Sequence, residues 1–263
     1  MSYRKYFKAN SDFQLYQGLF NQIGFTANPT FIKGYLDLRQ NKGRLYTDEV
    51  VLNLPEIPSG HSALKEWMIR KRSADRLIKR LETRRLAKIT KIGCGNGWLL
   101  NYMSKSLPFD FCGIDINEVE LEKAVRLFGG SEKLNFVCGD IFSESFTSLS
   151  ADVFILAGAI QYFSNPKALF QRLLSLLRQK GERHILDSPF YNKKDLGAAK
   201  ERGRKHFEKT GHSMMQKYYF YHSWESIQSG PYELLYDPSL VSNRLKRLVV
   251  NDSPFPWIKI TKA

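Results

Sequence analysis

An apolar run over residues 87–92 breaks into Gly93-Cys94-Gly95-Asn96-Gly97, and a helical pattern opens at about Trp98. A strand that turns sharply into a helix needs residues without a Cβ. The missing side chains let a ligand lie against the backbone, beside the positive end of the helix. The spacing excludes two common loops. A dinucleotide GxGxxG turn would carry its third glycine one residue later, where this chain has Trp98, and the GK[ST] ending of a phosphate-gripping loop is absent.

Short apolar runs alternate with helical segments from about residue 86 onward, the arrangement that builds a parallel sheet covered on both faces. Strands are predicted over 87–92, 111–115, 135–137, 153–157 and 184–186, with helices near 98–106, 118–128 and 166–179. Gly129-Gly130 and Gly181 are read as stops after the second and third helices. Upstream, Leu64, Trp67, Met68, Ala74, Ile78 and Leu81 recur at three- and four-residue steps, predicting an amphipathic helix over about 62–82. The Pro55, Pro58 and Gly60 segment marks a boundary. Residues 1–60 are read as an N-terminal cap, in which Phe13, Tyr16, Leu19, Phe20 and Ile23 follow a helical spacing, and 61–263 as the main domain. Beyond residue 188 a basic helix is expected over 193–209. An aromatic stretch over 217–224 reads as a half-buried strand or lid, and 253–262 as a last strand.

Two further strand ends complete a set. Asp115 closes the second strand 18 residues past Gly97, and Gly139-Asp140-Ile141 follows the third. With the glycine turn, these motifs resemble class I S-adenosylmethionine-dependent methyltransferases over about residues 86–188. The resemblance implies an α/β fold, a doubly wound, mostly parallel seven-stranded Rossmann-like sheet, here with a helical N-terminal cap. It implies S-adenosylmethionine as cofactor, with S-adenosylhomocysteine as product. Gly93, Cys94, Gly95, Asn96 and Gly97 would cradle the cofactor. Asp115 would accept two ribose hydroxyls, Ile116 would meet the adenine face, and Asp140 and Ile141 its edge. Ala157, ending the fourth strand, joins this cofactor set.

Family members usually carry an acid two residues before the first glycine, where this chain has Lys91. A cation about 4 Å from the cofactor's ammonium would cost roughly 4 kcal/mol at an effective dielectric near 20, unless the lysine swings its head into water. Lys91→Glu is therefore expected to tighten cofactor binding. The acceptor is expected beyond the fourth and fifth strands, where Tyr162 and Tyr191 are candidate catalytic residues, with His222 a candidate general base. Ser188-Pro189-Phe190-Tyr191 differs from the amino-group methyltransferase signature in place and third residue, and no Pro-Cys pair exists for attack on pyrimidines.

Net charge is +14, and residues 65–91 hold eleven Lys/Arg against three Asp/Glu. Arg70, Lys71, Arg72, Arg76, Lys79, Arg80, Arg84 and Arg85 either track an RNA backbone or form the solvated face of an amphipathic helix. Three functions follow: methyl transfer to an oxygen or nitrogen of a small molecule, methylation of RNA through this basic segment, or cofactor or partner binding without turnover. With 43% hydrophobic and 25% charged residues the chain is globular and not disordered. Its three cysteines lack CxxC spacing, which excludes a disulfide framework and a structural zinc site, and no metal is expected. No apolar run approaches the roughly 20 residues needed to span a bilayer. Without an apolar leader a cytoplasmic location is expected, and no oligomeric state is specified.

Overall fold

The computed structural model describes residues 2–85, 87–227 and 231–262. From the N-terminus run α1 (Tyr3–Ala9), β1 (Phe13–Tyr16), β2 (Leu19–Gln22), α2 (Pro29–Asn41), α3 (Asp48–Asn53) and α4 (Leu64–Leu81). The predicted alternation follows as β3 (Lys88–Ile92), α5 (Trp98–Ser104), β4 (Asp110–Asp115), α6 (Glu118–Phe128), β5 (Leu134–Cys138), β6 (Ala151–Ala157), α7 (Pro166–Leu176) and β7 (Leu177–Leu186). The chain closes with β8 (Phe190–Tyr191), α8 (Lys193–Lys209), β9 (His222–Ser223), β10 (Glu233–Tyr236), α9 (Val241–Val249) and β11 (Trp257–Thr261).

The main sheet runs β1-β2-β5-β4-β3-β6-β7-β11-β10. Strands β5, β4, β3, β6 and β7 are parallel, while β11 runs antiparallel to β7 and β10 antiparallel to β11. From β3 the chain winds outward through β4 and β5, then returns to lay β6 and β7 on the other side. The order reverses beside β3, so the connections leave in opposite directions and open a crevice beyond the C-terminal strand ends. Side chains alternate across the sheet as the strand period of two requires. Val153 and Ile155 join the layer under α4 to α6, and Phe154 and Leu156 the layer under α1 and α7.

Among the described residues the sheet has nine strands where seven are expected, because residues 13–22 form a hairpin and not a helix. Gln17 (φ 46°) and Gly18 (φ 87°) make a two-residue turn with both residues left-handed, the geometry that suits tight hairpins. Of the residues read as one helical stripe, Tyr16 is 63% and Ile23 60% exposed, while Phe13, Leu19 and Phe20 are buried. The spacing fits either period, and pairing of β2 with the open edge of β5 decides it. Gly181 is likewise not a helix stop. The helix ends at Leu176 and the chain enters β7 directly, with an irregularity where Ala151 pairs with Leu177 but Val153 pairs with Glu182. The stretch over 217–224 is a helical turn through Tyr218 followed by the two-residue strand β9, paired with β8.

Glu182 of β7 ties α4 to the sheet. Its carboxylate accepts from Arg80 at 3.0 Å, meets Arg84 at 3.1 Å, and bonds His184 Nε2 at 3.2 Å, while Trp257 donates to His184 Nδ1. Burial alone would raise this carboxyl, but the His184 hydrogen bond and the charges of His184, Arg84 and Arg80 outweigh it and hold the pKa at about 2. A carboxylate depressed in the folded state stabilises above its unfolded value of 4.5, and that stability is lost as pH falls toward 2. Glu182→Gln is expected to cost on the order of 3 kcal/mol at pH 7, with the difference from wild type shrinking across that interval in urea titrations.

Candidate functional site

At the switch point β3 ends in the glycine turn, and Gly93 and Cys94 both donate their backbone N–H to the Ile114 carbonyl of β4, at 2.9 and 3.3 Å. Gly95 has φ +54°, and a Cβ there would meet nothing within 4 Å, because the residue faces a cavity of about 1460 Å³. Gly97 (φ +75°) precedes the first residue of α5 and packs on Phe136 and Ala124, behind the cavity wall. Asn96 is buried, and its Oδ1 accepts from Trp98 N.

Asp115 sits across the turn. Its Oδ2 accepts from Gly95 N at 2.7 Å and its Oδ1 from Asn117 N at 2.9 Å. An ionised carboxylate offers about four acceptor positions, so the backbone N–H groups of Gly95, Asn117 and Ile116 leave it with capacity for a ligand. Burial raises the Asp115 pKa, opposed by the Gly95 and Asn117 N–H groups and by Lys91. Among the predicted cofactor residues, Gly93, Cys94, Gly95, Asn96, Asp115, Ile116, Asp140, Ile141 and Ala157 line this cavity, and Gly97 does not. Asp140 is held by a residue that sequence reading missed. Gln22 Oε1, from β2, accepts from Asp140 N at 3.0 Å, and Gln22 Nε2 donates to Ser143 Oγ at 2.7 Å. Only the hairpin brings Gln22 there, and a helical reading of 13–23 hides it.

Lys91 corrects another expectation, because its head does not reach water. The residue is 4% exposed and its Nζ donates to the Gly93 carbonyl. Burial lowers its pKa, while Cys94, Asp115 and Asp187 act to raise it. Asp187, at the end of β7, lines the same cavity with φ 52° and accepts from Ser73 Oγ at 2.8 Å. A carboxylate thus faces this corner from another strand. Between Lys91's lowered folded value and 10.5, the unfolded chain binds the extra proton, so stability rises with pH there. Lys91→Met is expected to remove up to about 1.4 kcal/mol per pH unit of that rise, measured as the wild-type minus variant difference in denaturant titrations.

The outer wall of the cavity is aromatic. Tyr162 lies between Tyr35 (5.7 Å), Phe31 (5.9 Å) and Tyr219 (6.0 Å), with burial holding its hydroxyl pKa well above the ordinary value. Tyr191 also lines the cavity, 6.1 Å from Tyr221, and burial raises its pKa too. His222 is not brought there. It is buried with Nε2 3.0 Å from the Ile160 carbonyl and is not a cavity-lining residue.

Five of the eight cations in the basic segment are paired, and Arg72, Lys79 and Arg85 have no ion pair among the described residues. Arg70 pairs with Glu66, Lys71 with Asp75, Arg76 with Asp252, and Arg80 and Arg84 with Glu182. Pairing lowers the charge offered to a polyanion, and no match described below supports the RNA reading. Among the described residues no cluster of His, Cys, Asp and Glu could hold a metal, and no helix is long and apolar enough to cross a membrane.

Residues 89–181 match the family described as a methyltransferase domain. A malonyl-[acyl-carrier protein] O-methyltransferase of Halalkalibacterium halodurans is 30% identical over 123 residues, 43% of this chain and 45% of that protein, so the chain spans under half the length of this relative. The fold resembles the YcgJ protein of Bacillus subtilis, with TM-score 0.54 and 16% identity over 73% of this chain and 98% of that one. It also resembles the plantazolicin methyltransferase BpumL, solved with a triazolic desmethylPZN analog and S-adenosylhomocysteine, with TM-score 0.53 and 20% identity over 89% and 97% of the two chains. The glycine turn, the carboxylate facing it and the switch-point topology agree with these matches: residues 89–181 match a methyltransferase domain, set in the Rossmann-like fold of these solved structures.

Proposed function

We propose that this protein transfers a methyl group to an oxygen or nitrogen of a small-molecule acceptor. The observation that carries the reading is Asp115, anchored by the Gly95 and Asn117 N–H groups and lining a cavity beside a glycine-rich turn whose Gly95 leaves open space. S-adenosylmethionine, when bound, supplies a methyl group on a sulfonium already activated for in-line displacement. Asp115 accepts the ribose hydroxyls. Ile116 and Ile141 give apolar contact to the base, Asp140 meets its edge, and Asp187 supplies the negative charge that residue 91 does not.

Alignment of the acceptor and exclusion of water are the remaining tasks, and the aromatic wall serves both. Burial keeps the Tyr162 and Tyr191 hydroxyls protonated near neutral pH, so they orient an acceptor as hydrogen-bond donors and do not abstract its proton. His222 is a positioning residue that supports the 160–162 turn through the Ile160 carbonyl. The relatives named for O-methylation and for plantazolicin support an organic acceptor over RNA. Calorimetry with S-adenosylmethionine and S-adenosylhomocysteine tests the reading. One-site binding of both is expected, and binding of neither would replace it with a scaffold role.

A further inference from the structure

The cavity continues past the strand ends beneath α2, and there its charge changes sign. Arg39 of α2 lines it with no ion pair among the described residues, and its Nε is buried without a hydrogen-bond partner. Its guanidinium lies 5.7 Å from the centroid of the Tyr35 ring. A guanidinium with a buried, unbonded Nε and no ion pair is costly, and a fork of N–H donors suits a planar carboxylate. Around it the other cations have no carboxylate to spare. Arg44 and Arg70 share Glu66, and Lys42 Nζ meets the neutral-favouring ring of His206 at 2.9 Å. The carboxylates of Asp115, Asp140 and Asp187 lie at the strand ends, on the cofactor side. Glu120, beside Asp115, is the acid whose charge reaches Arg39, but the two form no ion pair.

The walls here are flat and apolar. Phe31, Tyr35, Tyr162 and Tyr218 contact one another edge-on or tilted at 5.3 to 6.0 Å. No hydrogen bond joins the hydroxyls of Tyr35, Tyr162 or Tyr218 to another of the described residues, which leaves them for a ligand.

Resting on the methyltransferase reading, we propose that the acceptor is an aromatic or similarly planar organic acid whose carboxylate is held by Arg39 while its body packs against the wall that Tyr35 and Tyr162 form. Arg39 is then a specificity-determining residue, and the positive charge around it draws anions toward the cavity.

Binding of 2-naphthoate and its neutral counterpart 2-naphthamide is to be measured by calorimetry, with and without saturating S-adenosylhomocysteine, for wild type, Arg39→Gln and Arg39→Lys. Wild type is expected to prefer the acid at least tenfold. Arg39→Gln should erase that preference and Arg39→Lys keep part of it, with S-adenosylhomocysteine affinity changed less than twofold. Equal binding of acid and amide by wild type, or an acid preference that survives Arg39→Gln, overturns the proposal. So does a tenfold loss of S-adenosylhomocysteine affinity in Arg39→Gln, which would assign Arg39 to the cofactor. If S-adenosylhomocysteine fails to bind while the ligand-free protein keeps an Arg39-dependent preference for the acid, the methyltransferase reading falls and the anion site stands.

Discussion

Asp115→Ala is expected to weaken S-adenosylhomocysteine binding by two to three orders of magnitude. Hydrogen bonds to a charged group contribute roughly 1.5–3 kcal/mol each, and two ribose hydroxyls on one carboxylate bring the loss to about 3–4 kcal/mol once non-additivity is allowed for. Asp115 also holds Gly95 N and Asn117 N, so part of the effect passes through a loosened turn. Asp115→Asn separates the contributions, because its amide oxygen can still accept one of these bonds. About tenfold weaker binding is expected for it, with a melting temperature closer to wild type. Calorimetry paired with thermal melts provides both measurements, and an Asp115→Ala affinity within fivefold of wild type would remove the ribose role.

A glycine pair gives the second large effect, divided between stability and binding. Gly97→Ala puts a Cβ 2.8 Å from Phe136 Cε1, 2.9 Å from its Cζ and 3.0 Å from Ala124 Cβ, at φ +75°. Left-handed backbone costs about 1–2 kcal/mol for alanine, and crowding a packed core adds a similar amount, so a loss of about 2–4 kcal/mol is expected. For a domain of this size that lowers the melting temperature by roughly 5–15 °C. Gly95→Ala meets no atom within 4 Å, so only the backbone cost of about 1–2 kcal/mol applies to folding. Its methyl group projects into the space proposed for the cofactor, and at least tenfold weaker S-adenosylhomocysteine binding is expected. Equal melting temperatures for the two variants would contradict the division of labour between them.

The 18-residue step from Gly97 to Asp115 is legible along the chain because one helix and one strand lie between them and span that length in any such unit. Residues 13–23 were not legible in the same way. Their apolar spacing satisfies both periods, and the unpaired edge of β5, more than a hundred residues away, selects the hairpin. Gln22 and its bonds to Asp140 and Ser143 follow from that choice. Arg39 and Asp187 stand in segments without a local motif, and only packing of α2 and β7 around the crevice gives them a shared environment.

By itself the sequence determined the alternating elements, the glycine turn and the acids at successive strand ends, because these depend on periodicity and on neighbours a few residues apart. Tertiary structure alone decided which charges stay free. Glu182 and Asp252 neutralise α4 cations from distant strands and loops, Lys91 turns inward to a carbonyl, and Arg39 is left without an ion pair among the described residues. The energy of a charge depends on its distance to other charges and to water, and neither distance is set until the chain has folded.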